Sequence, residues 1–150
     1  MIENFVVAFS NLPCIYPIIK SIINRDYITA AAITFVSIAS FVSHLVENHK
    51  HGMPGIGFSK KTSYILNRFD VLGCVLVIFR FDYLFYQRNM FSYEFFLKHK
   101  IFFICACIPP ILLIISEYDK YNPKLKYRYI ITHSIWHASI FVLMGKFLSI

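Results

Sequence analysis

The sequence predicts an all-α, polytopic helical membrane protein with about five transmembrane helices. Hydrophobic residues make up 57% of its 150 residues and aromatic residues 18%, whereas only 15% are charged. A soluble domain has about 25% charged residues. Five apolar runs approach the roughly 20 residues that a helix needs to cross a bilayer. The runs cover about residues 5–23, 27–46, 69–86, 101–116 and 127–148 of a single domain, residues 1–150.

The first two runs are separated only by the sequence NRD at residues 24–26, which predicts a helical hairpin. The start of the first run carries Glu3 and no basic residue, and it has no cleavage pattern of small residues. A cleaved signal peptide is therefore not expected. The polar segment ENHKHGMPGIGFSKKTSYILNR, residues 47–68, follows the second run and predicts a loop because glycine and proline interrupt it.

The third and fourth runs contain residues that are unusual within a membrane helix. Arg80 and Asp82 interrupt the third run, and Arg80 lies close enough to its end for the side chain to reach the membrane surface. The fourth run contains Pro109 and Pro110, which predict a kink because proline lacks a backbone N–H.

Two further segments lie between the last three runs. The aromatic and basic segment QRNMFSYEFFLKHK, residues 87–100, predicts an interfacial helix. Alternatively, residues 81–97 fold back into the membrane as extra short helices. The polar segment EYDKYNPKLKYR, residues 117–128, predicts a loop before the fifth run.

The net charge of +7 is compatible with two kinds of partner, nucleic acid or the membrane surface. The Lys and Arg residues are scattered between apolar runs and form no basic stripe or nucleic-acid motif, so nucleic acid is not an expected partner. They are interpreted as charges that flank the membrane, and their almost even division between its two sides predicts no orientation. The cysteines contain no CxxC and are predicted to be buried thiols rather than disulfides. They are Cys14, Cys74, Cys105 and Cys107.

A small set of polar residues inside the apolar runs carries the functional prediction. Ionisable groups are costly in a membrane and mark function there. His44 lies near the end of the second run, Asp70 at the start of the third, and His133 and His137 early in the fifth. Even runs end on the side of the membrane where odd runs begin, so five spans bring all four groups to one side at similar depth. Ser40, four residues before His44, shares its helical face.

Three histidines near a carboxylate and a hydroxyl favour a divalent metal, above all zinc, which binds imidazole nitrogen. A pair of histidines at i and i+4 on one helix is a standard chelating arrangement. Asp70 would orient a ligand or accept a proton, and Ser40 would donate a hydrogen bond to water or an oxyanion. Bound zinc makes water nucleophilic at neutral pH. The alternative is that the histidines form interhelical hydrogen bonds without metal.

The other histidines and two residues near the candidate site are interpreted mainly as surface or packing residues. His49, His51 and His99 are predicted to lie in solvated loops, although His49 and His51 follow His44 closely enough to be extra ligands. Glu47 is interpreted as an interfacial residue and Trp136 as a packing residue.

The ordered motifs resemble those of the CREST superfamily, which includes alkaline ceramidases, progestin and adipoQ receptors, and the TMEM8–myomaker branch. The resemblance spans nearly the whole chain and is closest to that last branch. It rests on the sequences SFVSHLVEN at residues 40–48, NRFDVLGCVL at residues 67–76 and HSIWHASIFVLMGKF at residues 133–147. It implies a seven-helix membrane fold with zinc bound by the three histidines. This chain, with five predicted spans, would be a reduced version of that bundle.

The resemblance leaves two functions open. Ceramidase-like members hydrolyse lipid amides, which implies a zinc-dependent hydrolase acting on a lipid amide or ester, with membrane lipid as substrate. Myomaker-like members act in membrane fusion without an established reaction, which implies a non-catalytic remodelling or scaffold protein that retains a structural metal site.

Overall fold

The computed structural model describes residues 2–48, 53–119 and 122–150, and these are helical with no β-strand among them. Two short 3-10 turns, Leu12–Cys14 and Pro123–Leu125, lie between helices. The α-helices are α1 (Ile2–Phe9), α2 (Ile15–Ile23), α3 (Tyr27–Val46), α4 (Lys60–Gln87), α5 (Tyr93–Lys98), α6 (Lys100–Ala106), α7 (Ile108–Asp119) and α8 (Lys126–Phe147).

The first predicted run is two helices rather than one, because the chain breaks between Phe9 and Ile15. Pro13 lies in the 3-10 turn that separates α1 from α2. Proline cannot donate the next helical hydrogen bond, and its ring disfavours a helical conformation of the preceding residue. The break therefore follows from the sequence, and it places Ser10 at a bend that faces the bundle interior.

The predicted hairpin between the first two runs is present as a tight turn at residues 24–26. Arg25 adopts a left-handed conformation with φ of 58°. Asp26 then caps α3, because its side chain accepts a hydrogen bond from the Thr29 backbone N–H at 3.1 Å. Such caps satisfy donors that have no partner within the helix. As a result, α3 begins at Tyr27, as predicted, and runs antiparallel to α2.

The polar segment before the third run is only partly a loop, which corrects the prediction for residues 47–68. Helix α4 begins at Lys60, nine residues before the predicted span, and the Ser59 hydroxyl caps it by accepting from the Thr62 N–H. The charged first turns of α4 contain good helix formers and a capping serine, so polarity there marks a helix end and not a loop. Asp70 consequently lies well inside a helix of 28 residues.

Helices α3 and α8 form the centre of the bundle. Helix α3 packs against α1, α2 and α4, whereas α8 packs against α7, α2 and α1. The main hydrophobic cluster joins α3, α4 and α8 and includes Ile33, Val77 and Phe141. A smaller cluster joins α1, α8 and the loop before α4 through Val7, Tyr129 and Met53. The candidate site lies between these two clusters.

The fourth predicted run is broken at Cys107 into α6 and α7, two residues before the prolines at which the kink was predicted. Pro109 and Pro110 fall in the first turn of α7, where the missing N–H groups cost little. Helix α5 occupies residues 93–98 of the segment predicted to be an interfacial helix. Residues 81–87 continue α4 and do not form a separate short helix.

The cysteines form no disulfide, as predicted, but their predicted burial is wrong. Cys105 and Cys107 are exposed, while Cys14 and Cys74 are half-buried. Helix α6 lies at the edge of the bundle, so one face of this apolar helix, with Cys105 on it, points away from the protein.

Within residues 2–48, 53–119 and 122–150, three helical stretches are long and apolar enough to cross a membrane. They are Ile2–Ile23, Tyr27–Val46 and Lys100–Asp119. The length and composition of these stretches support three of the five predicted membrane crossings. The other two predicted spans fall within α4, which carries several charged residues, and α8, whose two histidines and several hydroxyl side chains make it less apolar.

Helices α3 and α4 approach each other closely at Gly73. A Cβ at this position would lie 2.9 Å from the Val36 Cα. We expect Gly73→Leu to destabilise the fold by about 2 kcal/mol, because overpacking forces backbone separation. Leucine favours helix over glycine by nearly 1 kcal/mol, so propensity alone predicts the opposite sign. Thermal unfolding in detergent measures the difference.

The matched control for Gly73→Leu is Val71→Leu, two residues away on the same helix. Val71 is 46% exposed, so added volume there meets no neighbour. We expect its unfolding temperature to equal that of the wild type. An unchanged temperature for Gly73→Leu would contradict the close packing of α3 and α4.

An ion pair joins the start of α3 to the far end of α4. Arg80 donates to Asp26 at 2.8 Å through one guanidinium nitrogen and to the Thr29 hydroxyl at 2.8 Å through another. Burial raises the pKa of Asp26, but hydrogen bonds from Thr29 and Arg80 outweigh it and hold that pKa below its ordinary value of 3.8. The carboxylate therefore stabilises the fold above the ordinary pKa, and this stabilisation disappears as the pH falls through the lower folded value.

We expect Asp26→Asn to lower stability by about 1 kcal/mol at neutral pH, since asparagine still caps α3 but loses the charged hydrogen bond to Arg80. The difference from the wild type should shrink as the pH falls below 3.8. Unfolding temperatures of both proteins across this pH range measure it. A difference that stays constant with pH would show that the ion pair contributes nothing.

Candidate metal centre

The three histidines singled out by the sequence lie together in the interior. His44, near the C-terminus of α3, is 2% exposed, and His133 and His137 on α8 are 5% and 2% exposed. Each offers a ring nitrogen, and these nitrogens lie within 4.8 Å of one another. The Nε2 atoms of His44 and His133 are 3.1 Å apart. The i, i+4 spacing puts both α8 rings on the face that packs toward α3.

The outer nitrogen of His137 is held by the bend between α1 and α2. The Ser10 hydroxyl donates to the Val7 carbonyl at 2.6 Å, and its oxygen lies 2.7 Å from His137 Nδ1. Since the serine proton is already used, Nδ1–H of His137 donates to this oxygen. The lone pair of His137 is therefore on Nε2, which faces the other two rings.

His133 is held in the same way by a serine on α7. The Ser116 hydroxyl donates to the Leu113 carbonyl at 2.9 Å and lies 3.1 Å from His133 Nδ1. Nδ1–H of His133 is therefore the donor in this pair, and its Nε2 is the basic nitrogen. Ser116 is fully buried, so the hydrogen bond is shielded from water.

His44 is held by a carboxylate. Its Nδ1 donates to Glu47 Oε2 at 3.0 Å, and the Tyr129 hydroxyl donates to the same oxygen at 3.3 Å. Glu47 is 1% exposed, which corrects its interpretation as an interfacial residue. A carboxylate behind a histidine fixes the ring orientation and increases the basicity of the opposite nitrogen.

These contacts assign one tautomer to all three histidines. Each Nδ1 carries the proton and donates outward, and each Nε2 presents a lone pair inward. Two lone pairs 3.1 Å apart repel unless a cation lies between them. Tetrahedral zinc with Zn–N bonds of 2.0–2.1 Å places its nitrogens about 3.3 Å apart, close to this spacing. The donor set and its outer hydrogen bonds therefore fit a metal ion.

Helix α1 fixes the end of α3 where His44 lies. The Asn4 side chain donates at 2.9 Å to both the His44 carbonyl and the Glu47 carbonyl. Both carbonyls lie where α3 ends, and the His44 carbonyl also accepts a long hydrogen bond of 3.4 Å from the Glu47 N–H. Asn4 is fully buried and thus substitutes for the missing turn. Asn4 on α1 and Ser10 in the bend that follows it thus position two of the three histidines.

The two residues predicted to be catalytic border the histidines. The Ser40 hydroxyl lies 3.3 Å from His137 Nε2, and Asp70 Oδ2 lies 3.9 Å from His44 Nε2. Both are buried, at 3% and 8% exposure. The structure thus brings together all five predicted site residues. One side of the cluster carries a hydroxyl and a carboxylate beside the basic nitrogens.

Four residues that hold the site are absent from the sequence-based candidates: Asn4, Ser10, Ser116 and Tyr129. The sequence did not mark the serines and the asparagine as site residues, because these residue types in apolar helices commonly form hydrogen bonds to local carbonyls. Trp136 packs against the rings of His133 and His137 at centroid distances of 4.8 and 4.7 Å, which agrees with its predicted packing role. His99 stacks on Phe95 at 4.4 Å, away from the cluster. His49 and His51 lie outside the described residues.

Comparison with known proteins gives a viral relative. The chain is 60% identical over 146 residues to the "Uncharacterized protein L282" of Acanthamoeba polyphaga mimivirus, an alignment that covers 97% of this chain and 96% of the relative. No family model matches the chain. No solved structure matches it either. Identity at this level over nearly both full lengths places the chain in the same family as the mimivirus protein L282.

Proposed function

We propose that this chain is a multi-pass membrane protein with five crossings, in which α4 and α8 join the three apolar stretches. The outward face of α4 supports this, because its exposed residues near the centre are large and apolar. Val71, Leu72, Val75, Leu76, Ile78 and Phe79 are 40–68% exposed. An apolar face of this size on a soluble protein would aggregate, whereas in a bilayer it contacts lipid.

The polar residues of these two helices lie where a membrane helix can carry them. Arg80 is paired with Asp26, and Asp70 points into the histidine cluster. On α8, His133 and His137 are buried, while Ile131 and Ile135 face outward at 59% and 49% exposure. Polar groups that face the bundle interior and pair there are the ones that membrane helices tolerate.

The proposed activity is zinc-dependent hydrolysis of a lipid amide or ester. The observation that supports it most is the convergence of His44, His133 and His137, whose outer hydrogen-bond partners assign a basic inner nitrogen to each ring. Three neutral imidazoles are the ligand set of many catalytic zinc sites, and the metal supplies a Lewis acid that activates water at neutral pH.

The remaining groups have roles that follow from their chemistry. The Asp70 carboxylate is positioned to accept a proton from water beside the histidines, since general bases act within hydrogen-bond reach of the atom that loses the proton. The Ser40 hydroxyl is positioned to donate to the oxyanion that forms when a carbonyl is attacked. Glu47, Ser10 and Ser116 touch no reacting atom in this scheme and position the histidines.

The resemblance to the CREST superfamily supports the same assignment. Its motifs place a serine, a carboxylate and three histidines in the order found here, as Ser40, His44, Asp70, His133 and His137. The ceramidase-like members act on lipid amides, which is why lipid amides are the first substrates to test.

The test begins with the purified protein in detergent or nanodiscs. We expect one zinc per chain by elemental analysis, and release of fatty acid from at least one substrate in a panel of lipid amides and esters. A chelator should abolish release, and added zinc should restore it. Stoichiometric zinc without hydrolysis of any substrate would reject the hydrolase and leave a metal site of another role.

A structural metal site in a non-catalytic membrane-remodelling or scaffold protein is the second candidate. The position of Asp70 favours it, because a carboxylate oxygen 3.9 Å from His44 Nε2 is within a small rearrangement of becoming a fourth ligand. Closed four-ligand spheres are typical of structural zinc, whereas catalytic sites keep one position for water. X-ray absorption spectroscopy at the zinc edge, which counts the protein ligands, distinguishes a four-ligand structural site from a three-ligand catalytic site.

Glu47 should control zinc affinity without touching the metal. We expect Glu47→Leu to weaken zinc binding by about 10–100-fold, the usual effect of removing an outer hydrogen-bond partner of a ligating histidine. Glu47→Gln keeps an oxygen acceptor for His44 Nδ1–H and should restore most of the affinity. Competition with a zinc-binding dye measures both variants. Equal zinc affinities of Glu47→Leu and Glu47→Gln would contradict a role for the hydrogen bond to His44 Nδ1 in zinc binding.

A further inference from the structure

An apolar cleft of about 220 Å³ lies between α4, α6 and α8. Its walls are mainly apolar and include five phenylalanines: Phe81 and Phe85 on α4, Phe102 and Phe103 on α6, and Phe147 on α8. No residue of the histidine cluster lines it. Val77, the lining residue nearest to Asp70 along α4, is two helical turns further along, so the cleft lies toward the other end of the bundle.

One charged side chain, Asp82, lines this cleft. Within the described ranges 2–48, 53–119 and 122–150, Asp82 makes no hydrogen bond or ion pair. Two basic residues of the same region are engaged elsewhere: Arg80 with Asp26 and Thr29, and Arg88 with the Phe147 carbonyl at 3.2 Å. The positions three and four residues from Asp82 on α4 hold Ile78, Phe79, Phe85 and Tyr86, none of which is basic.

Asp82 is the exception to the pairing of polar groups on α4. Asp70 faces the histidine cluster and Arg80 has its carboxylate partner, whereas Asp82 is exposed at the rim of the cleft, beside its phenylalanines. A carboxylate at the mouth of an apolar cleft attracts a cationic head group whose apolar part can enter the cleft. An ammonium group provides that cation, and the faces of the surrounding aromatic rings also attract it.

We infer that the cleft binds a single-chain amphiphile with an ammonium head group, that is, a long-chain primary amine. The carboxylate of Asp82 would pair with the ammonium, and the aromatic walls would contact the alkyl chain. Sites for drug-sized ligands are roughly 300–1,000 Å³. A cleft of about 220 Å³ suits one alkyl chain and not the body of a two-chain lipid. This inference rests on the membrane placement proposed above but not on zinc or hydrolysis.

The test compares three probes of equal chain length: dodecylamine, dodecanol and dodecanoate. Their binding to the full chain is measured at equilibrium with radiolabelled probe in nanodiscs of zwitterionic lipid, and empty nanodiscs give the background. We expect dodecylamine to bind about tenfold more tightly than dodecanol, as a charge-assisted contact provides. Tighter or equal binding of dodecanol or dodecanoate would overturn the inference.

Two variants locate the site. Asp82→Asn should reduce dodecylamine affinity about tenfold and leave dodecanol unchanged, since only the ammonium contact is lost. Ala106→Phe fills the cleft from α6 and should reduce the binding of both probes. Glu94→Gln removes an exposed carboxylate that does not line the cleft and should change neither. Undiminished amine binding by Asp82→Asn would show that the probe binds elsewhere.

A histidine variant keeps this inference separate from the proposed function. We expect His137→Ala, which disrupts the candidate metal centre, to bind dodecylamine with wild-type affinity once folding is verified by circular dichroism. Amine binding that requires zinc would place the amine at the metal and contradict a second site. If the protein binds amine but hydrolyses no substrate, the proposed hydrolase activity is rejected and the amine site in the cleft is retained.

Discussion

Replacing His137 with alanine should remove zinc from the protein and abolish any zinc-dependent hydrolysis. The ring supplies one of three inward-facing Nε2 atoms, and two neutral imidazoles hold zinc much more weakly than three. Loss of the metal also lowers stability, because a ligand at a thousand times its dissociation constant stabilises the folded state by about 4 kcal/mol. Elemental analysis and thermal unfolding of the purified variant measure both effects.

Two further variants distinguish loss of the metal from misfolding of the protein. His137→Gln preserves most of the side-chain volume and provides a check on the cavity that alanine leaves. His99→Ala is the matched control, since His99 stacks on Phe95 outside the cluster and should not affect zinc content. A chelator should lower the unfolding temperature of the wild type and of His99→Ala, but not that of His137→Ala. Full zinc content in His137→Ala would eliminate the proposed metal centre.

The convergence of the site was predictable because it depends on two simple regularities. The i, i+4 spacing places His133 and His137 on one face of any helix. Alternation of antiparallel helices then places His44 and Asp70 at the same end of the bundle. Both regularities depend only on the helical conformation of the chain and on the number of helices between the residues. They hold even though the first run is broken at Pro13 and α4 begins at Lys60.

The supporting residues were not predictable for an equally physical reason. Ser10 and Ser116 reach the histidines only because of a bend after α1 and the packing of α7 on α8, and the sequence specifies neither angle. Glu47 is polar and follows an apolar run, which is the pattern of an interfacial residue. Only the tertiary position of Tyr129 and Asn4 shows that Glu47 is buried behind His44.

The extent of α4 illustrates a different source of error. Apolar windows identify the part of a helix that lipid can cover, not the part that is helical. Residues 60–68 are polar and helical at once, because Ser59 caps them and tertiary packing is not required at the surface. The loop prediction for these residues failed because it treated loss of hydrophobicity as loss of helix.

Asp70→Asn should separate catalysis from metal binding. If Asp70 accepts a proton during the reaction, the nearly isosteric amide removes the base and should lower hydrolysis by about 10²–10⁴-fold, the usual contribution of general-base catalysis. Zinc content should stay at the wild-type level, because the three Nε2 donors are unchanged. The substitution also keeps the side chain's volume at a position that is 8% exposed, so the fold should persist.

The two readouts of Asp70→Asn decide between the candidate functions. Retained zinc with lost hydrolysis identifies Asp70 as part of the reaction machinery. Weakened zinc binding identifies it as a fourth ligand, since an amide is a poorer ligand than a carboxylate, and this outcome favours a closed structural site. Glu94→Gln, which alters an exposed carboxylate on α5, should match the wild type in both assays. Ser40→Ala provides the complementary case: loss of its hydrogen bond to an oxyanion should reduce hydrolysis by about 10²–10³-fold with zinc retained.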